Sequence, residues 1–213
     1  GGYPHGVWHY IENIGNACTP NFTSLVTNPF SITTITGYFA YPCFGDLDAD
    51  GDMDLLGAEF GTSSPSGAFY YFENTTNTLA QITFDTVQIN PFGLSGFSDK
   101  SNSSLGDLDN DGDLDIVSAQ LGAGGMGPAD GIYFYENIGT SVSPSFSSAQ
   151  LNSFSLSGTE PKTSASLGDL DNDGDLDLLC GLEAGGYLYY ENIGTISAPS
   201  FNTPISNPFN MSY

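Results

Sequence analysis

The sequence predicts an all-β fold assembled from repeated four-stranded antiparallel units, about three and a half of them. Three observations predict it. An acidic stretch occurs three times, as Gly45-Asp-Leu-Asp-Ala-Asp-Gly-Asp-Met-Asp54, Gly106-Asp-Leu-Asp-Asn-Asp-Gly-Asp-Leu-Asp115 and Gly168-Asp-Leu-Asp-Asn-Asp-Gly-Asp-Leu-Asp177, and its first aspartates, Asp46, Asp107 and Asp169, lie 61 and 62 residues apart. An aromatic run ending in Glu-Asn occurs four times, with its glutamates at 12, 73, 136 and 191. Between these landmarks the apolar runs are short, rich in β-branched and aromatic residues, and bounded by Gly, Pro, Asn and Ser, which is strand and turn chemistry. No stretch carries an apolar 3.6-residue period long enough for a helix.

Each unit has a fixed order. The acidic loop comes first, and a short apolar run follows: Leu55-Leu56, Ile116-Val117 or Leu178-Leu179. A Gly-rich hinge such as Gly122-Ala-Gly-Gly-Met-Gly127 leads to the aromatic run. Then comes a Ser/Thr/Pro turn with a lone Phe (Phe84, Phe146, Phe201) and an Asn-Pro-Phe element at Asn28, Asn90 and Asn207, degenerate as Asn152-Ser-Phe154. About four strands fit into roughly 60 residues, the content of one propeller-type blade. Residues 1–213 therefore read as a single repeat domain: a partial blade without its acidic loop (1–37), then repeats 38–98, 99–160 and 161–213, the last ending before a fourth loop. Three loops beside four aromatic runs predict an array that is open or completed by another chain. The start, Gly1-Gly-Tyr-Pro4, has no Met, basic region or apolar stretch and reads as a processed or truncated terminus.

Five like charges in nine residues repel one another unless a cation sits among them, and no arginine and only Lys100 and Lys162 are present to supply one. A hard divalent ion takes oxygen ligands, and Ca²⁺ takes six to eight of them with flexible geometry. In the register Asp-x-Asp-x-Asp-Gly-Asp-x-Asp, positions 1, 3 and 5 curl around the ion, Gly51, Gly112 and Gly174 permit the turn, position 7 offers its carbonyl, and position 9 closes the shell. The expected ligands are Asp46, Asp48, Asp50, Asp52 and Asp54; Asp107, Asp109, Asp111, Asp113 and Asp115; and Asp169, Asp171, Asp173, Asp175 and Asp177, for three Ca²⁺ sites. Mg²⁺ is the lesser rival, because it prefers to keep several waters. An EF-hand needs glutamate at position 12, where this chain has Gly57, Ser118 and Cys180.

These loops, each preceded by Leu-Gly or Phe-Gly and followed by an aliphatic run, resemble FG-GAP/VCBS repeats, the calcium-binding propeller repeats of integrin α-chains and many secreted proteins. The resemblance implies blades of four antiparallel strands with Ca²⁺ held in a hairpin loop. It also implies the ligand set named above, with Asp52, Asp113 and Asp175 acting through their carbonyls.

Composition bounds the function. A formal net charge of −23 with two lysines excludes nucleic acid and anionic membrane surfaces as partners, and no run of about 20 apolar residues spans a membrane. Cys18 and Cys43 can pair in an oxidising compartment, or all three cysteines can stay unpaired, since Ser104 and Ser166 replace Cys43 in the other copies. His5 and His9 read as exposed or packing residues. The Glu-Asn pairs recur in every unit, whereas an active site would occur once, so they read as structural and no enzyme is expected. In the aromatic runs Tyr133 and Tyr135 face away from Phe134, which suits packing between blades and, as the lesser option, sugar stacking. Sequons begin at Asn21, Asn74, Asn102 and Asn210. The function these features favour is an extracellular or cell-surface, calcium-stabilised module with a structural or adhesive role, as in a surface or filament assembly. It would partner with itself or another extracellular protein. A carbohydrate-binding lectin and an accessory domain of a secreted polysaccharide-degrading enzyme are the alternatives.

Overall fold

The computed structural model describes residues 7–32, 38–60, 67–76, 82–95, 101–120, 131–156 and 162–211. His5, Lys100 and the Gly122–Gly127 hinge lie outside the described residues. The N-terminal unit contributes β1 (His9–Tyr10) and β2 (Val26–Thr27), a two-stranded antiparallel sheet. Three four-stranded antiparallel sheets follow, each a meander in chain order. The first is β3 (Tyr38–Gly45), β4 (Asp54–Phe60), β5 (Phe69–Phe72) and β6 (Gln88–Ile89). The second is β7 (Ser101–Gly106), β8 (Asp115–Gln120), β9 (Gly131–Tyr135) and β10 (Gln150–Leu151). The third is β11 (Lys162–Gly168), β12 (Asp177–Leu182), β13 (Tyr187–Tyr190) and β14 (Ile205–Ser206). The fold is thus all-β: three complete propeller-like blades and the outer half of another, with helix confined, among the described residues, to 3-10 turns at Pro29–Ser31 and Pro208–Asn210.

The acidic loops join the first and second strands of each blade, closing on the pairs Gly45–Asp54, Gly106–Asp115 and Gly168–Asp177. The core lies between blades, because the two faces of a middle strand pack on different neighbours. Tyr133 and Tyr135 join a cluster with Leu56, Phe69 and Tyr71 of the first blade. Phe134, from the same strand, joins Leu178, Leu188 and Tyr190 of the third. The period-2 alternation of a strand therefore serves two interfaces at once, and these aromatic rings are closed to sugar stacking. Blades also meet by backbone: Phe146 N–H donates to Phe92 carbonyl at 2.8 Å and Phe201 N–H to Phe154 carbonyl at 2.9 Å.

The Asn-Pro-Phe element explains how each blade ends. Asn28, Asn90, Asn152 and Asn207 all sit near φ 50°, the left-handed region that Asn tolerates better than most residues. From there each Asn forms two bonds to one residue of the aromatic run. Its N–H donates to the carbonyl of Trp8, Phe69, Ile132 or Tyr187, and its Oδ1 accepts that same residue's N–H at 2.8–3.1 Å. The following Phe packs its ring on the aromatic run, as Phe30 on Tyr10 at 4.8 Å and Phe92 on Tyr71 at 5.0 Å. Asn152-Ser-Phe154 keeps all of this without proline, so Asn and Phe carry the element.

Candidate metal centres

In each acidic loop the structure brings the first three aspartates together. The carboxylate oxygens of Asp46, Asp48 and Asp50 lie within 4.8 Å of one another, as do those of Asp107, Asp109 and Asp111, and of Asp169, Asp171 and Asp173. The loop is wound around its own carboxylates. Asp46 accepts the N–H of Asp50 and of Gly51, each at 3.1 Å, and Asp50 accepts the N–H of Asp52 at 2.9 Å. Asp107 and Asp111 repeat these contacts in the second loop, and Asp169 and Asp173 repeat most of them in the third. Gly51, Gly112 and Gly174 turn the chain at φ 97°, 96° and 102°, a region open to glycine.

The seventh and ninth positions lie deeper. At the seventh position Asp113 and Asp175 are buried, while Asp52 is half-buried. Among the described residues, three buried carboxylate oxygens have no hydrogen-bond partner: Asp109 Oδ1, Asp113 Oδ1 and Asp175 Oδ1. Burial, and then the charges of Asp111, Asp109 and Asp107, pushes Asp113 up to about 6. Burial followed by neighbouring aspartates also raises Asp48 and Asp109. Unsatisfied anionic oxygen in a crowded acidic turn is costly. An all-oxygen donor set of this kind suits a hard divalent cation rather than a thiophilic one. The loops fit such an ion, with the three rim carboxylates as its natural holders.

Asp54, Asp115 and Asp177 lie beneath the rim, outside those groups of three, and at most 1% of their surface is exposed. Their Oδ2 accepts the N–H of Leu47, Leu108 or Leu170 at 3.0–3.1 Å. Their Oδ1 accepts the N–H of Asn74, Asn137 or Asn192 at 2.8–2.9 Å. Tyr71 and Tyr189 donate a further bond to Asp54 and Asp177, at 3.0 Å each. The middle blade has Phe134 at that position, so Asp115 receives two bonds only, and burial pushes it up to about 7 despite them.

In the three complete blades the asparagine of the Glu-Asn pair, Asn74, Asn137 or Asn192, therefore locks the aromatic run to the acidic loop. Its own side chain then organises the next turn: Asn137 Oδ1 accepts from Gly139 and Ser145, and Asn192 Oδ1 from Gly194 and Ser200. These hydrogen bonds give the asparagines of the three complete blades a structural role. The sequon at Asn74 is closed by the same fact, since the residue is buried and its amide donates to Met53 carbonyl at 3.0 Å. Cys18, Cys43 and Cys180 are free thiols, so the Cys18–Cys43 pairing is not formed.

Residues 107–180 match the family model described as an FG-GAP-like repeat. This stretch is an FG-GAP-like repeat. It runs from the first aspartate of the second loop into the strand after the third loop, one full period of the array plus the next acidic loop. The first blade builds its loop, its Asn lock and its Asn-Pro-Phe element by the same contacts as the matched FG-GAP-like span. None of the curated proteins matches the chain.

Proposed function

We propose that this chain is an extracellular, calcium-stabilised FG-GAP-like repeat module whose role is structural or adhesive, with Ca²⁺ in each of its three acidic loops. The observation that carries the reading is the set of clustered rim carboxylates, repeated three times, joined in the second and third loops by buried aspartate oxygens that no hydrogen bond satisfies. A bound ion would convert that repulsion into a clamp holding the first two strands of each blade. Binding to the folded state alone couples the ion to stability, and affinities of ~10⁻⁴–10⁻³ M are usual for extracellular calcium modules. The reading assigns no catalysis, because the Glu-Asn pairs recur in every unit and the asparagines of the three complete blades hold backbone. A place in a surface layer or extracellular filament is the assembly it favours. Calorimetric titration of metal-stripped protein tests it. Three calcium equivalents and a higher melting temperature in calcium than in EDTA are expected. An unchanged melting temperature, or equal stabilisation by Mg²⁺ at the same concentration, would sink it.

A further inference from the structure

In the complete blades the asparagine of the Glu-Asn pair holds backbone, but the glutamate carboxylate holds none. The main-chain carbonyls of Glu73, Glu136 and Glu191 accept the N–H of Asp85, Ser147 and Asn202 at 2.8–2.9 Å. Their carboxylates take part in no hydrogen bond or ion pair among the described residues, although each glutamate is half-buried. With no arginine and two lysines, the chain has too few cations to pair one with the glutamate of every unit.

Strand pleating sets where these carboxylates go, since residues two apart share a face. Tyr71 and Tyr189 send their hydroxyls to Asp54 and Asp177 on the loop floor. Glu73 and Glu191, two residues on, leave the same face beside the rim. Burial first, and then the charges of Asp48, Asp85 and Asp50, raise Glu73 above the ordinary glutamate value. The middle blade shows the same arrangement as a cavity of about 370 Å³, where Phe134 and Glu136 face Asp109, Gln150 and the Ser197-Ala198-Pro199 turn of the third blade. Asp109 belongs to the rim, and its Oδ1 is buried without a hydrogen-bond partner. Glu136 stays outside the group of carboxylates that lie within 4.8 Å of one another. The space between is polar on three sides and has room for water, at about 30 Å³ per molecule. A cation at the rim is called for independently by Asp113 and Asp175, which are 6% and 9% exposed and each keep an Oδ1 that no hydrogen bond satisfies.

We propose that, with calcium in the loops as the proposed function has it, Glu73, Glu136 and Glu191 each hold the ion of their own blade from the aromatic run, by accepting a hydrogen bond from a water in the ion's coordination shell. One water molecule can give its oxygen to the ion and an O–H to the glutamate. Such a charge-assisted bond is strong, and partners outside the ligand shell fix the ligands they touch. The ion then joins three strands of a blade: the two that flank the acidic loop and the one that ends in Glu-Asn. Within that pair the labour is divided. The asparagine binds the loop floor whether or not the ion is present, and the glutamate binds the loop through the ion.

Calorimetric titration of calcium into the metal-stripped full chain, at fixed ionic strength, tests this in the middle blade. Wild-type protein should take up three equivalents. Glu136→Gln keeps the shape of the side chain and removes its charge. One of the three equivalents should then bind roughly tenfold or more weakly, while the melting temperature in EDTA stays the same or rises, because a carboxylate facing Asp109 has lost its charge. Glu136→Asp, which keeps the charge, should recover part of the affinity. Glu12→Gln removes the same charge from an aromatic run that no acidic loop of this chain precedes, and should leave all three equivalents unchanged. Crystals grown with calcium should show a water between the ion and Glu136. Unchanged affinity in Glu136→Gln overturns the proposal. So does an equal loss in Glu12→Gln, which would mark a general effect of charge, or a fall in melting temperature that is the same in EDTA as in calcium, which would mark a purely structural glutamate. A Glu136 oxygen bound directly to the ion overturns the bridging water. If wild-type protein takes up no calcium, the calcium reading falls and this proposal with it; if it takes up three equivalents that Glu136→Gln leaves untouched, this proposal alone falls.

Discussion

Asp109 and Asp115 sit six residues apart in one loop, and the fold uses them in opposite ways. Asp109 belongs to the rim, clustered with Asp107 and Asp111, and one of its oxygens has no partner. Asp115 belongs to the floor, where both oxygens hold backbone N–H groups of Leu108 and Asn137. The same side chain is a repelling group in one place and a connector in the other. The acidic loop is therefore two devices: a rim whose charges call for a cation, and a floor that ties the loop to the aromatic run.

The largest effect should come from loading the rim. At calcium one-hundredfold above its dissociation constant, each loop gains about 2.7 kcal/mol, so three independent loops together shift stability by roughly 8 kcal/mol. Urea denaturation in calcium and in EDTA measures this. Next comes the floor. Asp115→Ala strands two buried N–H groups and should cost about 3 kcal/mol in calcium and in EDTA alike. Asp109→Asn, which keeps the shape and removes one rim charge, should leave stability in EDTA unchanged or slightly higher and abolish the calcium response of that loop. Equal behaviour of the two variants in the two buffers would erase the distinction between rim and floor.

Acidity probes the same contrast. Asp115 and Asp113 are pushed up to about 7 and about 6 by burial, against an ordinary value near 3.9 for aspartate. Between about pH 4 and 7 the folded, ion-free protein holds protons that the unfolded chain has released. Its stability is therefore greatest at the acidic end of that window and falls as pH rises through it. Calcium requires ionised carboxylates, so its affinity should rise over the same window. Melting curves at pH 4.5, 5.5 and 7, with and without calcium, should therefore diverge. The smallest effect is local to the backbone. Ala49 holds the left-handed position that Asn110 and Asn172 fill in the other loops, at φ 57° against 59° and 65°. Ala49→Asn should gain about 0.5–1 kcal/mol by relieving that conformation, visible as a modest rise in the urea midpoint.

Much of this was legible in the sequence because it is written locally. The aspartates of a rim are neighbours in the chain, and the opposition of Tyr133 and Tyr135 to Phe134 follows from strand pleating alone. What escaped was decided by partners far along the chain. The floor role of Asp115 depends on Asn137, and the end of each blade depends on an Asn bonding a residue about 20 positions earlier. The repetition of Glu-Asn and Asn-Pro-Phe announced that these residues mattered. It gave no hint of which backbone groups they hold.

The meander order of the sheets has a consequence for how the molecule comes into being. Each complete blade pairs only strands adjacent in sequence, so it can close before the next has been synthesised. The packing between blades joins successive blades, first to second and second to third. Folding free energy is then a sum over blades and the joints between successive ones. Damage to one loop should loosen its own blade and weaken the adjoining joints, while a blade two units away keeps its structure.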